Sequence, residues 1–171
     1  MRKINLIVLH HSAIEGESPQ AKGVEKYHIT KWGRPGYHFF FERAGMSFPM
    51  QPLEKIAYHA GEYNAHSIGI CLAGDFRKQN PTMMQIRTLE GVVTGLQHQF
   101  NIPDENIKLH RELRATKCPC IDLRELLFKR RIEALKERQY RARRALRFHR
   151  GTLRGSMLKR LIKRITKLLG V

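Results

Sequence analysis

No stretch of this 171-residue chain approaches the roughly 20 consecutive apolar residues that a membrane-spanning helix needs. Cysteine is scarce too. Three stand at 71, 118 and 120, too few and odd in number for a disulfide framework. Cys118 and Cys120 are also too close in sequence for an easy mutual bridge, so reduced thiols are expected, one of them a candidate metal ligand. A secretory signal is lacking: the apolar run from Ile4 to Leu9 is short, is broken by Asn5 and ends in two histidines. The expectation is a protein held in the cytoplasm of the cell that makes it until it is released. Acidic residues are scarce in one region only. Residues 1–128 hold 16 basic and 13 acidic side chains, whereas residues 129–171 hold 16 basic and 2 acidic. Most of the net charge of +17 therefore belongs to the last 43 residues. A near-neutral body, 1–128, carries a highly basic tail, 129–171, and the two need separate explanations.

What is present in the body is a folding pattern. With 42% hydrophobic and 27% charged residues the composition is that of an ordinary folded protein. Ile4 to His10 reads as a strand buried on both faces. Ser18-Pro19 reads as a helix start, Ser as N-cap and Pro at the first helical position, with the helix stopping at Gly33. Tyr37 to Glu42 is an aromatic-rich strand, and Ala44-Gly45 turns it into a hairpin with Met46–Met50. Ser67 to Ala73 is a further strand. Thr82 and Gln85 have capping-box spacing, and Ile86, Leu89, Val93, Leu96 and Phe100 mark one face of the helix that follows. Asn101 and Pro103 close it, Ile107–His110 is a last short strand, and Asp122–Phe128 opens a helix toward the tail. Strands interleaved with helices predict an α/β fold.

Nine histidines are a mild excess, and several fall where strands end. His10 and His11 close the first strand, His110 closes the last, and Cys118 follows eight residues on. Two imidazoles and a thiolate suit zinc and leave a fourth position open, as catalytic zinc requires. Neither an HExxH pattern nor a CxxC pair is present, so spacing alone leaves packing histidines as the rival reading.

Four segments in order, VLHHSA, WGRPGYHFFFERAG, YHAGEYNAHSIGICLAGDF and LHRELRATKCPCIDL, resemble the zinc-dependent N-acetylmuramoyl-L-alanine amidases. That family includes the amidase-type phage lysozymes and the peptidoglycan recognition proteins. The resemblance covers roughly residues 4–128. It implies a central mixed β-sheet flanked by helices; the tail, which the resemblance does not cover, is expected to be a C-terminal helical extension on its own residue pattern. The resemblance also implies Zn2+ held by His10, His110 and Cys118, with Tyr37 hydrogen-bonding the attacking water or the developing oxyanion. One position departs from the phage pattern: where those enzymes carry a catalytic lysine two residues before the cysteine ligand, Thr116 stands here and Lys117 follows. Thr116 or Lys117 is thus the candidate second donor, Thr116 ahead. By the same resemblance His59 and Asn64 line the substrate cleft, against an alternative role as loop scaffolding. Cys120 competes with Cys118 as ligand, but Cys118 holds the family position. His11 is expected to lie behind the ligands or on the surface and not to bind the metal, His38 to be structural, Cys71 to lie in the core, and Gly61 and Gly69 to permit close backbone approach.

In the tail, Met157, Leu158, Leu161, Ile162, Ile165, Leu168 and Leu169 are apolar, and Lys159, Arg160, Lys163, Arg164 and Lys167 are basic. At 100° per residue these separate into an apolar and a cationic face, predicting an amphipathic helix at about 156–169. It is too short to span a bilayer and suits anionic head groups, including lipopolysaccharide. Packing on the body or on a second subunit is the plainer alternative. Nucleic acid is disfavoured, because residues 155–171 contain no aromatic side chain for base stacking. These readings together describe a monomeric, endolysin-like amidase of peptidoglycan with a membrane-active tail. It would be held in the host cytoplasm until released to the cell wall. The alternatives are a non-catalytic peptidoglycan-binding module and a cationic antimicrobial protein.

Overall fold

The chain runs β1 (Leu6–His11), α1 (Ala21–Trp32), β2 (Phe39–Phe41), β3 (Ser47–Pro49), β4 (Ser67–Leu72), α2 (Met83–Phe100), β5 (Ile107–Leu109), the single turn α3 (His110–Leu113) and α4 (Leu123–Arg150). This computed structural model describes residues 2–150 together with Arg160 and Lys163, with side chains through residue 145 and at those two positions. Two compact units are distinguished, residues 1–128 and residues 129–171.

The sheet of the first unit has the order β3-β2-β4-β1-β5. β1 pairs in parallel with β4 and β5, β2 pairs in parallel with β4, and β2 and β3 form an antiparallel hairpin. The sheet is thus mixed, as the family resemblance implies. All six residues of β1 and all six of β4 are buried, which is why both read as continuous apolar runs rather than alternating ones. On one face Ile7, Leu9, Phe41, Ile68 and Ile70 meet Ile86, Leu89, Val93 and Leu96 of α2, with Leu123 and Leu127 from the start of α4. On the other face Phe40, Cys71 and Ala73 pack with Ala21 and Val24 of α1. Cys71 is fully buried there.

Local signals account for most of the boundaries. Thr82 and Gln85 form the reciprocal capping box, and Asn101 ends α2 with φ 52°. Gly33 ends α1 with φ 70°, and Gly45, at φ 84°, turns the β2–β3 hairpin. Asp122 caps α4 by accepting from the Glu125 N–H at 2.9 Å.

Three expectations need correction. α1 starts at Ala21 with Gln20 at its N-cap and no side-chain cap of its own, so Ser18 and Pro19 lie outside the helix. Glu42, at the end of β2, accepts from the Gln20 and Ala21 N–H groups at 2.8 and 2.6 Å and replaces the local cap. β2 is only three residues long, so Tyr37 precedes the strand. β5 ends at Leu109 and His110 opens α3, because the Leu109 N–H is taken by Glu112 Oε2 at 2.6 Å.

In the second unit, Arg130 pairs with Glu133 and Glu137 at 3.6 and 3.2 Å, while Ile132, Leu135 and Tyr140 are exposed. Of the residues expected to bind membrane, Arg160 and Lys163 are helical and exposed. Leu158, Lys159, Leu161, Ile162, Arg164, Ile165 and Lys167 lie outside the described residues, and so does most of the helix expected at 156–169. No helix among the described residues is long and apolar enough to cross a membrane.

Candidate metal centre and cleft

Two neighbouring parallel strands bring the centre together. β1 ends in His10 and His11, and β5 hands the chain to His110, so both imidazoles emerge at the carboxyl edge of the sheet, where open α/β sheets build sites. The loop after α3 returns Cys118 to them. One ligand atom from each of His10, His110 and Cys118 lies within 4.8 Å of the others. Cys118 Sγ is 3.9 Å from His10 Nδ1, and the rings of His10 and His110 are 4.4 Å apart. The cysteine loop is fastened to the rest: the Arg111 N–H donates to the Cys118 carbonyl at 2.8 Å, and the His11 N–H donates to Cys118 Sγ at 3.5 Å.

The donor chemistry fits a zinc ion. Burial first, then the neighbouring histidines, pushes the His10 imidazole well below its ordinary pKa. His110 is lowered by burial and by Arg114. Both rings therefore present lone pairs at neutral pH. Burial pushes the Cys118 thiol up to about 11, so at neutral pH it stays protonated unless a cation takes the place of its proton. Among the described residues, two neutral imidazoles and a half-buried thiol come together with no carboxylate in the cluster, a donor set that suits zinc rather than calcium or magnesium.

Tyr37 closes one side, its ring 5.1 Å from that of His10. Burial foremost, with Cys71 and Cys118 adding to it, pushes its phenol well above the ordinary tyrosine value, so it donates without ionising. Thr116 is exposed; its Oγ1 accepts from the Cys118 N–H at 3.2 Å, leaving its own proton free to donate. Lys117 is exposed, and its carbonyl accepts from the Cys120 N–H at 2.6 Å.

His59 and Asn64 have contacts inside the protein. Asn64 Oδ1 accepts from the backbone N–H groups of His59 and Ala60 at 3.0 and 2.7 Å. His59 Nδ1 lies 3.1 Å from His10 Nε2, and His59 Nε2 lies 3.2 Å from Ser67 Oγ. His38 takes the structural part expected of it. It is fully buried, accepts from the Gly69 N–H at 3.0 Å, and is pushed down to about 4 by burial. His11 accepts from the Phe76 N–H at 3.1 Å, and its Nε2 is 3.7 Å from Cys120 Sγ.

Sequence reasoning missed Arg2. Its guanidinium donates to the carbonyls of Leu53, Asn64, Ala65 and Ser67, all between 2.7 and 3.2 Å, and pins both ends of the loop that carries His59. An arginine at a chain terminus has no sequence signal that separates this from a solvated charge. A cleft of about 540 Å³ was also missed; Ile29, Arg34, Gln51, Lys55 and Ile56 line it, drawn from the end of α1 and from the stretch after β3. Arg34 lies over the Tyr58 ring at 4.8 Å. His28 of α1 touches Tyr37, ring to ring, at 5.2 Å.

Residues 1–121 match the family model for N-acetylmuramoyl-L-alanine amidase. Over 123 residues the chain is 27% identical to the peptidoglycan-recognition protein LB of Drosophila melanogaster, a match covering 66% of this chain and 53% of that protein. Over 97 residues it is 32% identical to the endolysin of Enterobacteria phage K11, covering 54% of this chain and 63% of the endolysin. These matches thus span between half and two thirds of the two relatives. Among solved structures, the N-acetylmuramoyl-L-alanine amidase LysC from Clostridium intestinale URNW aligns with a TM-score of 0.67 and 28% identity, over 75% of this chain and 85% of LysC.

Proposed function

The chain belongs to the N-acetylmuramoyl-L-alanine amidase family, and on that premise we propose that it hydrolyses the amide bond between the lactyl group of muramic acid and L-alanine in peptidoglycan, in the manner of an endolysin, with zinc held by His10, His110 and Cys118. The observation that carries this reading is the convergence of those three side chains to within 4.8 Å at the carboxyl edge of the sheet. Zinc bound there supplies Lewis acidity toward the scissile carbonyl and acidifies a water into a nucleophile near neutral pH.

The chain's own residues do the rest. The phenol of Tyr37, held protonated, donates to the oxygen that gains charge as the amide carbon becomes tetrahedral. Thr116, whose oxygen is turned to the Cys118 N–H, has its proton available as a second donor. Collapse breaks the C–N bond, and the nitrogen of L-alanine takes up the proton that the attacking water gave up and leaves as an amine. The cleft beside α1, with Arg34 and Lys55 among apolar Ile29 and Ile56, suits a short peptide bearing free carboxylates and is the candidate seat of the stem peptide. The body, residues 1–128, is the catalytic domain in this reading, and the protein is made in the host cytoplasm and released to the wall.

Mass spectrometry of purified sacculi, digested with and without a zinc chelator, tests the reaction. Free L-alanine N-termini and stem-free glycan, both lost on chelation, are expected. New sugar reducing ends would mean a glycosidase. Intact sacculi with zinc loaded would leave a peptidoglycan-binding module instead.

The tail is proposed to bind anionic membrane through the apolar positions 158, 161, 162 and 165 and the basic positions 159, 160, 163, 164 and 167. What supports this is the separation of the two residue types on a helical projection, together with 16 basic against 2 acidic residues in 129–171. The full chain is expected to sediment with phosphatidylglycerol vesicles, to retain part of that binding at ~0.5 M salt, where charge is screened, and to lose the salt-resistant part in Ile162→Asp. Binding abolished by salt alone would point to nucleic acid or another polyanion.

A further inference from the structure

Metal-binding histidines need one particular tautomer. A neutral imidazole has one N–H and one lone pair, and the lone pair must face the ion. The hydrogen bonds behind His10 determine which nitrogen that is. They form a chain of four groups that leads away from the centre, and each bond in it can have only one direction.

The chain starts at its far end. Ser67 Oγ lies 2.6 Å from the Tyr63 carbonyl, and since a carbonyl only accepts, the serine's single proton is committed there. The same oxygen lies 3.2 Å from His59 Nε2 and can only accept from it. His59 therefore carries its proton on Nε2 and its lone pair on Nδ1. His59 Nδ1 lies 3.1 Å from His10 Nε2, so His10 Nε2–H donates to it. The lone pair of His10 is left on Nδ1, the nitrogen 3.9 Å from Cys118 Sγ and so on the side of the three-ligand cluster. A polar chain from a backbone carbonyl through a hydroxyl and one imidazole thus sets the tautomer of another.

The surroundings hold His59 to this part. Gly69 of β4 lies directly beneath the ring: a Cβ there would come within 2.6 Å of His59 Cγ. Asn64 fixes the backbone on either side of the ring through the His59 and Ala60 N–H groups. Arg2 holds the carbonyls of Asn64 and Ala65. Both ring nitrogens of His59 are in use, which leaves none for substrate.

We infer that His59, backed by Ser67 and seated on Gly69, is a positioning residue that fixes His10 as the Nε2–H tautomer and presents its Nδ1 to the metal. This rests on the zinc reading above. It assigns His59 to the metal site, where the family resemblance places it in the substrate cleft. Outer partners of this kind typically govern metal affinity by 10- to 100-fold.

The test combines zinc affinity, measured by competition with a chromophoric chelator, with the ring 15N shifts of His10 in the metal-free full-length protein. Wild type is expected to show a protonated Nε2 on His10. His59→Leu removes the acceptor and is expected to weaken zinc by about 10- to 100-fold and to leave His10 as a mixture of tautomers. His59→Asn, whose Oδ1 falls near the position of Nδ1, is expected to recover most of the affinity, and it keeps the test readable should His59→Leu fold poorly. Ser67→Ala lets the His59 proton move to either nitrogen and is expected to fall between the two. Unchanged zinc affinity and unchanged His10 shifts in His59→Leu, with only KM raised, would overturn the relay and return His59 to the substrate cleft. A wild-type protein that binds no zinc while His10 holds its Nε2 proton would overturn the metal reading, and the relay's purpose with it.

Discussion

Replacing Cys118 by serine is expected to remove amidase activity on sacculi by at least about 10³-fold while leaving the fold and its unfolding midpoint nearly unchanged. The argument is one of charge and softness. The thiol is buried enough to be pushed up to about 11, so in the free protein it keeps its proton, and the cation alone makes thiolate formation favourable. A serine hydroxyl, far less acidic than a thiol, does not make that exchange near neutral pH, and the neutral oxygen left behind is a poor zinc ligand. The cost to stability is small, because the bonds that hold the loop are backbone bonds: Arg111 N–H to the Cys118 carbonyl and Cys120 N–H to the Lys117 carbonyl survive the change. Zinc content by atomic absorption and product release by mass spectrometry are expected to fall together.

Tyr37→Phe supplies the contrast. It is expected to retain zinc and to lose turnover alone, by about 10²- to 10³-fold, as for loss of one oxyanion donor. If Cys118→Ser keeps both metal and activity, the ligand is Cys120 or the mechanism needs no metal. The structure argues against the first, since Cys120 Sγ is turned to His11 Nε2 at 3.7 Å.

The parts legible in the sequence are those whose cause is local. Thr82 and Gln85 are three residues apart and cap one helix, so their spacing carries the whole signal. β1 and β4 read as apolar runs because both their faces are covered. His10, His110 and Cys118 were reachable because strand ends and the loops after them are where side chains converge in an α/β sheet. What was hidden arises between distant segments. His59 differs from a cleft residue only through Gly69, Ser67 and His10, which come from β4 and β1. Arg2 acts on carbonyls 51 to 65 residues away. Ser18-Pro19 is a sound local helix start that lost to a partner 22 residues distant in sequence, Glu42 bonding to Gln20.

That substitution of a distant cap for a local one yields the largest stability effect expected of the body. Glu42→Leu is expected to lower stability by about 3–5 kcal/mol, and the thermal midpoint by roughly 10 °C. Glu42 is 3% exposed, and a single oxygen, Oε1, accepts both the Gln20 and the Ala21 N–H. The first turn of α1 holds no acidic residue and no side-chain cap, so this carboxylate stands in for both at the positive end of the helix. A leucine there leaves two buried N–H groups without acceptors, each costing about 1–3 kcal/mol, and removes the charge that faced the helix dipole. Glu42→Gln keeps an acceptor oxygen and is expected to cost less than half as much. Urea unfolding of the two variants decides the matter; Glu42→Leu within ~0.5 kcal/mol of wild type would mean that water reaches those groups. The effect would extend to function, because α1 is also a wall of the site. Its His28 packs on Tyr37 and accepts from the Gly36 N–H at 3.1 Å, and its last turns supply Ile29 and Gly33 to the cleft. A loosened α1 is therefore expected to raise KM for sacculi before it lowers zinc content, because His10, His110 and Cys118 come from β1, α3 and the loop that follows, none of which Glu42 holds.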